Sequence, residues 1–163
     1  MTVAVVDANI LIDLIHINLL DPLFRMGIQI HTTLQIIDEL NDLQQVSILE
    51  FAKIKKIKIH HLDGIHVPPI IGNNLRMSES DKSIFSLAIR MKALILSGDA
   101  VIRRYSELQG MEVHGILWLL DRFLDQSMIT RNTAVNKLND LMSWNQRMPM
   151  EACRNRLRDW TSE

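Results

Sequence analysis

The sequence opens on an unbroken apolar run, Thr2-Val-Ala-Val-Val6, that stops abruptly at Asp7. A strand with one wet face alternates polar and apolar residues. A run without alternation fits a strand buried on both faces, as in a parallel sheet. Parallel neighbours need crossover connections, and a helical pattern follows at once, with Ile10, Leu11, Leu14 and Ile15 on one side. The theme then recurs. Ile28–Thr32 reads as a second strand, and Thr33 is placed to cap a helix running through Leu43. A further helical stretch, Val46–Ile54, runs into the basic residues Lys53, Lys55, Lys56 and Lys58, and Ile57–Leu62 reads as a third strand.

Asp63–Met77, with Gly64, Pro68, Pro69, Gly72 and Asn73-Asn74, is the one long loop-like stretch. Helix resumes at Ser78, Ala93–Leu96 forms a fourth strand, and a helix from Ala100 to Gln109 closes at Gly110. Met111–His114 makes a short fifth strand, and Ile116–Leu124 a helix. This alternation predicts a three-layer α/β/α sandwich around a parallel sheet of four to five strands. From Thr130 the chain reads as two helices broken near Pro149, with no strand of their own. The expected organisation is an α/β domain over residues 1–125 and a C-terminal helical extension, 126–163, packed on or beside it.

Composition removes several classes. At 163 residues, 47% apolar and 23% charged, the chain has the make-up of one globular domain and is neither disordered nor low in complexity. The single Cys153 excludes an internal disulfide and a four-cysteine zinc site, so a reducing, cytoplasmic setting is expected. No charge-free apolar stretch approaches the roughly 18–20 residues a bilayer needs, so no membrane partner is expected. The apolar start lacks a basic region and is interrupted by Asp7 and Asp13, which speaks against a signal peptide. With 18 Lys+Arg against 19 Asp+Glu, the net charge of −1 provides no bulk attraction to nucleic acid. A polyanion partner would have to be held by a local patch or by metal.

In open α/β sheets, ligands bind beyond the carboxyl ends of the strands. Asp7 terminates the first strand, Asp99 follows the fourth, Glu39 lies in the helical segment after the second, and Asp81 opens the helix before the fourth. At about 100° per residue, Glu39 borders the apolar side set by Ile36, Ile37, Leu40 and Leu43, whereas Asp38 points nearly opposite. Asp81 heads the stripe of Ile84, Phe85 and Ala88, and Glu79 faces away from it. A carboxylate aimed inward is costly unless something cationic or donating meets it. Taken together, four such acids suggest a shared cation. Each also has an ordinary reading: Asp7 and Asp99 as helix N-caps, Ser78 with Asp81 as a capping box, Glu39 as a solvated flank residue.

These residues stand in recognisable surroundings. Asp7-Ala-Asn-Ile-Leu-Ile-Asp-Leu14 resembles the opening motif of PIN domains, and Thr32-Thr-Leu-Gln-Ile-Ile-Asp-Glu-Leu40 resembles the second, with Glu39 as its acid. Ser78-Glu-Ser-Asp-Lys-Ser-Ile-Phe-Ser-Leu-Ala88 is similar to the third, around Asp81, and Leu94-Ile-Leu-Ser-Gly-Asp-Ala-Val-Ile-Arg103 to the fourth, around Asp99. The four occur in order within residues 1–125. The resemblance implies a PIN-like fold and a Mg²⁺- or Mn²⁺-dependent endonuclease, usually acting on RNA. It implies Asp7, Glu39, Asp81 and Asp99 as catalytic and metal-holding residues, with Asn9 and Ser97 beside them. Many such domains are VapC-type toxins of toxin–antitoxin pairs, which adds an antitoxin-like protein to the expected partners. The extension after Asp125 departs from the small VapC pattern. A PIN fold that binds RNA or protein without cutting is the alternative.

The remaining candidates are weaker. Lys53, Lys55 and Lys56 are candidates for phosphate contact or a solvated helix end. Arg103 and Arg104 follow the fourth acid by about one helical turn and suit a scissile phosphate or plain surface. His60, His61 and His66 lack the companions of a zinc site. Leu138, Leu141, Met142, Trp144, Leu157 and Trp160 give the final helices an apolar side that must be covered by their own domain, by a second copy in a homodimer or by an antitoxin-like protein.

Overall fold

A computed structural model describes residues 1–162. Its centre is β1 (Val3–Val6), in which Ala4, Val5 and Val6 are all completely buried. Consecutive residues point to opposite faces, so both faces of this strand are covered, which is why the run lacks polar alternation. Helix α1 (Ala8–His16) follows without a loop, capped by Asp7. After α2 (Leu20–Arg25) come β2 (Gln29–Thr33), α3 (Leu34–Ile37), α4 (Asp42–Lys53) and β3 (Ile57–His60). The short α5 (Pro69–Gly72) precedes α6 (Glu79–Met91), β4 (Leu94–Leu96), α7 (Ala100–Leu108), β5 (Val113–His114) and α8 (Ile116–Asp125). The five strands are all parallel, in the order β3-β2-β1-β4-β5. With helices packed on that sheet, the architecture is the α/β/α fold that the alternation implies.

The departures are local. The helix expected over 33–43 is broken: Thr33 caps α3 as anticipated, but α3 ends at Ile37 and a new helix begins at Asp42. Asn41 is the reason. Its Oδ1 accepts the Gln44 N–H while its own N–H donates to Gln44 Oε1, a reciprocal cap that competes with helix continuation. Within the expected loop Asp63–Met77, Pro69 starts the one-turn α5 at a position where its missing N–H costs nothing. The fifth strand keeps only two residues.

Helices α9 (Arg131–Trp144) and α10 (Met150–Thr161) pack on each other and bury Leu138, Leu141 and Cys153 against the rest of the chain. Three polar links secure them. Asn145 Nδ2 donates to Asp13 Oδ1 at 3.1 Å, His16 stacks on Trp144 with ring centroids 4.0 Å apart, and Arg156 grips Asp121 at 2.9 Å. No helix among the described residues is long and apolar enough to cross a membrane.

Candidate active site

In an all-parallel sheet, every strand delivers its carboxyl end to one edge. Asp7 stands there at the end of β1, where its N–H donates to Leu96 O of β4 at 2.9 Å. Its side chain is buried, and both carboxylate oxygens are engaged: Oδ1 accepts the Ala8 N–H at 2.7 Å and Oδ2 the Ser97 hydroxyl at 2.7 Å. Burial pushes the Asp7 carboxyl up to about 6 against the pull of these two donors, and the neighbouring Asp81 and Glu39 charges push it further.

The β4–α7 corner brings the fourth. Asp99 caps α7, with Oδ1 accepting the N–H groups of Val101 at 2.8 Å and Ile102 at 2.9 Å. Its own N–H donates to Ser97 Oγ at 3.1 Å, so one fully buried hydroxyl joins Asp99 backbone to Asp7 carboxylate. Asn9 Oδ1 accepts the Gly98 N–H at 3.2 Å and ties the same corner to α1. Asn9 and Ser97 therefore act by shaping the Ser97-Gly98-Asp99 turn.

Asp81 closes the capping box of α6: its Oδ2 accepts the Ser78 N–H at 3.0 Å, while Ser78 Oγ accepts the Asp81 N–H at 3.1 Å. Glu39 lies in the turn between α3 and α4, and there Ser80 donates its hydroxyl to Oε1. Asp38 and Glu39 are both exposed, so burial does not separate them. Contact does: the Asp38 carboxylate makes no hydrogen bond among the described residues, whereas Glu39 is bonded across to α6. Glu79 is exposed and reaches Lys82 at 3.8 Å, away from the site.

The capping roles of Asp7, Asp81 and Asp99 are all present. None of the four acids has an ion-pair partner among the described residues. Glu39 Oε2, Asp81 Oδ1 and Asp99 Oδ2 are each free of protein donors there as well. Among the described residues no three His, Cys, Asp or Glu side chains converge tightly enough to enclose a metal ion. This donor set fits a hard cation that keeps most of its waters and takes one or two carboxylates directly, the habit of Mg²⁺. It does not fit a tight all-protein cage.

The basic candidates divide. Arg103 is half-buried, with its guanidinium near Gly115: a Cβ added to Gly115 would lie 3.5 Å from Arg103 Nη2 and 3.7 Å from Ser97 O. Arg104, one residue on, is exposed, its guanidinium 5.9 Å from the Tyr105 ring centre. Lys53, Lys55 and Lys56 are exposed at the end of α4 and the approach to β3, hence at the amino-end edge, opposite the carboxylates. His60 pairs with His31 of β2 at 2.8 Å, one ring donating and the other accepting, and burial next to the His31, Lys58 and Arg90 charges pushes it down to about 4. The surface cavities near Trp160 and near Tyr105 are lined by none of the four acids. Sequence reasoning missed Ser80 and His31. The only available signal for Ser80 was a second serine inside the Ser78–Asp81 box.

The chain is similar over residues 3–162 to the family model DUF3368, described as a PIN domain. Among solved structures it is similar to a PilT N-terminus domain protein from the hyperthermophilic archaeon Sulfolobus solfataricus P2, at 15% identity and a TM-score of 0.50, covering 76% of this chain and 94% of that one. It is also similar to a domain of a functionally unknown protein from Methanocaldococcus jannaschii DSM 2661, at 17% identity and a TM-score of 0.50, covering 71% and 91%. At such identities the likeness speaks for the fold alone. No curated protein matches the sequence.

Proposed function

We propose, from the premise that this chain belongs to the PIN-domain family, generally one of nucleases, that it is a metal-dependent endoribonuclease hydrolysing RNA phosphodiester bonds. The observation that carries the reading is the placement of Asp7, Glu39, Asp81 and Asp99. Asp7 and Asp99 follow the carboxyl ends of the neighbouring strands β1 and β4, Glu39 is bonded to Ser80 next to Asp81, and none of the four has a cationic partner among the described residues, which supports the reading. Acids assembled in this way repel one another unless a cation joins them.

In this reading Asp7 and Asp99 hold Mg²⁺ or Mn²⁺, and Glu39 and Asp81 complete the shell directly or through water. A divalent ion held there would supply a water of lowered pKa and charge neutralisation at the phosphate. The chain's own residues supply the frame. Ser97 keeps Asp7 in place while offering its oxygen to the Asp99 N–H, and Asn9 holds the Gly98 turn closed. Arg103, whose guanidinium lies near Gly115, would meet an RNA phosphate in this reading. Service as the toxin of a toxin–antitoxin pair is a narrower form of the same reading.

The test uses neighbouring acids as internal controls. Glu39→Gln should lower Mn²⁺-dependent RNA cleavage at least about a hundredfold, the scale of losing a key transition-state stabiliser. Asp38→Asn should stay within about threefold, as surface changes usually do. Circular dichroism should show both variants folded. A second reading, a PIN fold that binds RNA without cutting, draws on the use of three of the acids as helix caps. It becomes the better account if purified protein at high concentration cleaves nothing in a pooled RNA library with Mn²⁺.

A further inference from the structure

Glu39 is the least anchored of the four acids by its own backbone. It follows the end of α3 in an exposed turn, so no helix of its own directs its side chain. What directs it comes from 41 residues away in sequence: the hydroxyl of Ser80, a buried residue in the first turn of α6.

Counting protons orients the surrounding network, because a hydroxyl has one to give. Ser80 gives its proton to Glu39 Oε1. The 2.9 Å contact between Ser78 Oγ and Ser80 Oγ must then run from Ser78 to Ser80, and Ser78 still accepts the Asp81 N–H at 3.1 Å. Ser83 gives its proton to the Ser80 carbonyl at 2.6 Å, so its 2.8 Å contact with Thr33 must be donated by Thr33. Thr33 meanwhile accepts the Ile36 N–H at 3.2 Å as the cap of α3. Two one-way hydroxyl chains therefore converge on Ser80, one from the cap of α6 and one from the end of β2. The first terminates on the Glu39 carboxylate, the second on the peptide carbonyl of Ser80. Chains of this kind strengthen cooperatively, and they end on an acceptor.

We propose that Ser80 is a positioning residue for the nuclease centre: its hydroxyl holds the Glu39 carboxylate beside Asp81, so that this one oxygen donor for a divalent cation is oriented before the cation arrives. The inference rests on the metal-dependent reading above and extends it to a residue that touches neither cation nor RNA. A serine in the first turn of a helix has a commonplace role as a backbone partner, but this one spends its only proton on another element.

The test is a double-mutant cycle with Mn²⁺ alone as the probe, free ion being counted by its electron paramagnetic resonance signal. Ser80→Ala should weaken Mn²⁺ binding about 10-fold or more, the range typical of removing an orienting partner behind a ligand. In a Glu39→Gln background it should have little further effect, and Ser80→Thr should restore affinity to within about threefold of wild type, because the hydroxyl returns. Equal losses in both backgrounds, or a folded Ser80→Ala variant that binds like wild type, overturn the proposal. Urea unfolding without metal provides a separate arm. If Ser80→Ala lowers the midpoint in wild type but not in a Glu39→Ala background, which removes the acceptor altogether, the hold exists even should the chain bind no Mn²⁺ at all. In that event only the metal reading falls. Absence of coupling in both arms removes Ser80 from the site.

Discussion

Asp13 offers a test of the structure that owes nothing to metal or RNA. It is buried on α1, where Asn145 Nδ2 donates to its two oxygens at 3.1 and 3.4 Å. Burial pushes its carboxyl from 3.8 up to about 6, against the pull of Asn145 and of His16. The folded chain therefore binds this proton more tightly than the unfolded chain does. The stability this confers is full below about pH 4, drains away as pH rises through 4 to 6, and is gone above 6. At 1.36 kcal/mol per unit, a rise of roughly two units corresponds to about 3 kcal/mol, an upper figure since the site can relax. Asp13→Asn keeps the shape and a carbonyl acceptor for Asn145 but cannot ionise. Urea unfolding of both proteins, followed by circular dichroism from pH 4 to 8, should show the variant gaining about 2–3 kcal/mol on wild type across that range. Taking the difference between two proteins cancels the titration of every other group, including the opposite trend from His60. A flat difference, or one that favours wild type as pH rises, would mean that Asn145 holds Asp13 ionised and that burial is not the larger effect.

Other outcomes follow from the same geometry. Asp81→Asn should cut Mn²⁺-dependent cleavage by two or more orders of magnitude, while Glu79→Gln, whose partner is Lys82, should stay within about threefold. Kinetics on the folded variants distinguish the two, and a sensitive Glu79 would show that the register of α6 at the site is wrong. Arg103→Ala should raise KM for RNA and lower kcat while leaving Mn²⁺ affinity unchanged, because Arg103 lies near Gly115 and pairs with no carboxylate among the described residues. Changing Lys53, Lys55 and Lys56 together to Gln should leave cleavage at saturating RNA intact, since they lie at the edge opposite the acids. If they touch phosphates, the salt slope of RNA binding, measured by fluorescence anisotropy, should fall by up to about three.

Much of this arrangement could be read without coordinates wherever one residue type had one job. The unbroken Val3–Val6 run meant burial on two faces, and β1 is the central strand. Where two local rules competed, the stronger cap won. Residues 33–43 carry helical periodicity throughout, yet the Asn41–Gln44 box starts a fresh helix and leaves Glu39 in a turn. The angular argument set Glu39 toward the interior and Asp38 in solvent, yet both are exposed, because α3 ends at Ile37 and helical angles do not carry past its end. Asp13 was legible in principle: it sits three residues after Ile10 on the apolar side of α1, where a charge is out of place. Its partner, Asn145, lies 132 positions away, and no local pattern points to it. The roles of Ser80 and Ser83, and the bond from Thr33 to Ser83, were invisible for another reason. Small hydroxyl residues at helix starts are ordinary, and only distances show where their protons go.

The coincidence of capping and site-building in this chain has a physical origin. At the carboxyl end of a parallel strand, the chain turns directly into the next helix, so the residue there is both the N-cap and the last residue before the ligand edge. A carboxylate satisfies both demands, because it has two oxygens and more lone pairs than a cap consumes. Asp99 shows this most plainly: Oδ1 takes the Val101 and Ile102 N–H groups, and Oδ2 has no donor among the described residues. The two donors fix the direction of the free oxygen, which a solvated aspartate would leave to rotate. Asp81, the third helical residue of α6 and not its N-cap, likewise has one oxygen on the Ser78 N–H and the other without a donor among the described residues. Glu39 precedes no strand-end helix and has no such cap. The Ser80 hydroxyl performs for it from α6 the orienting that the backbone performs for the others.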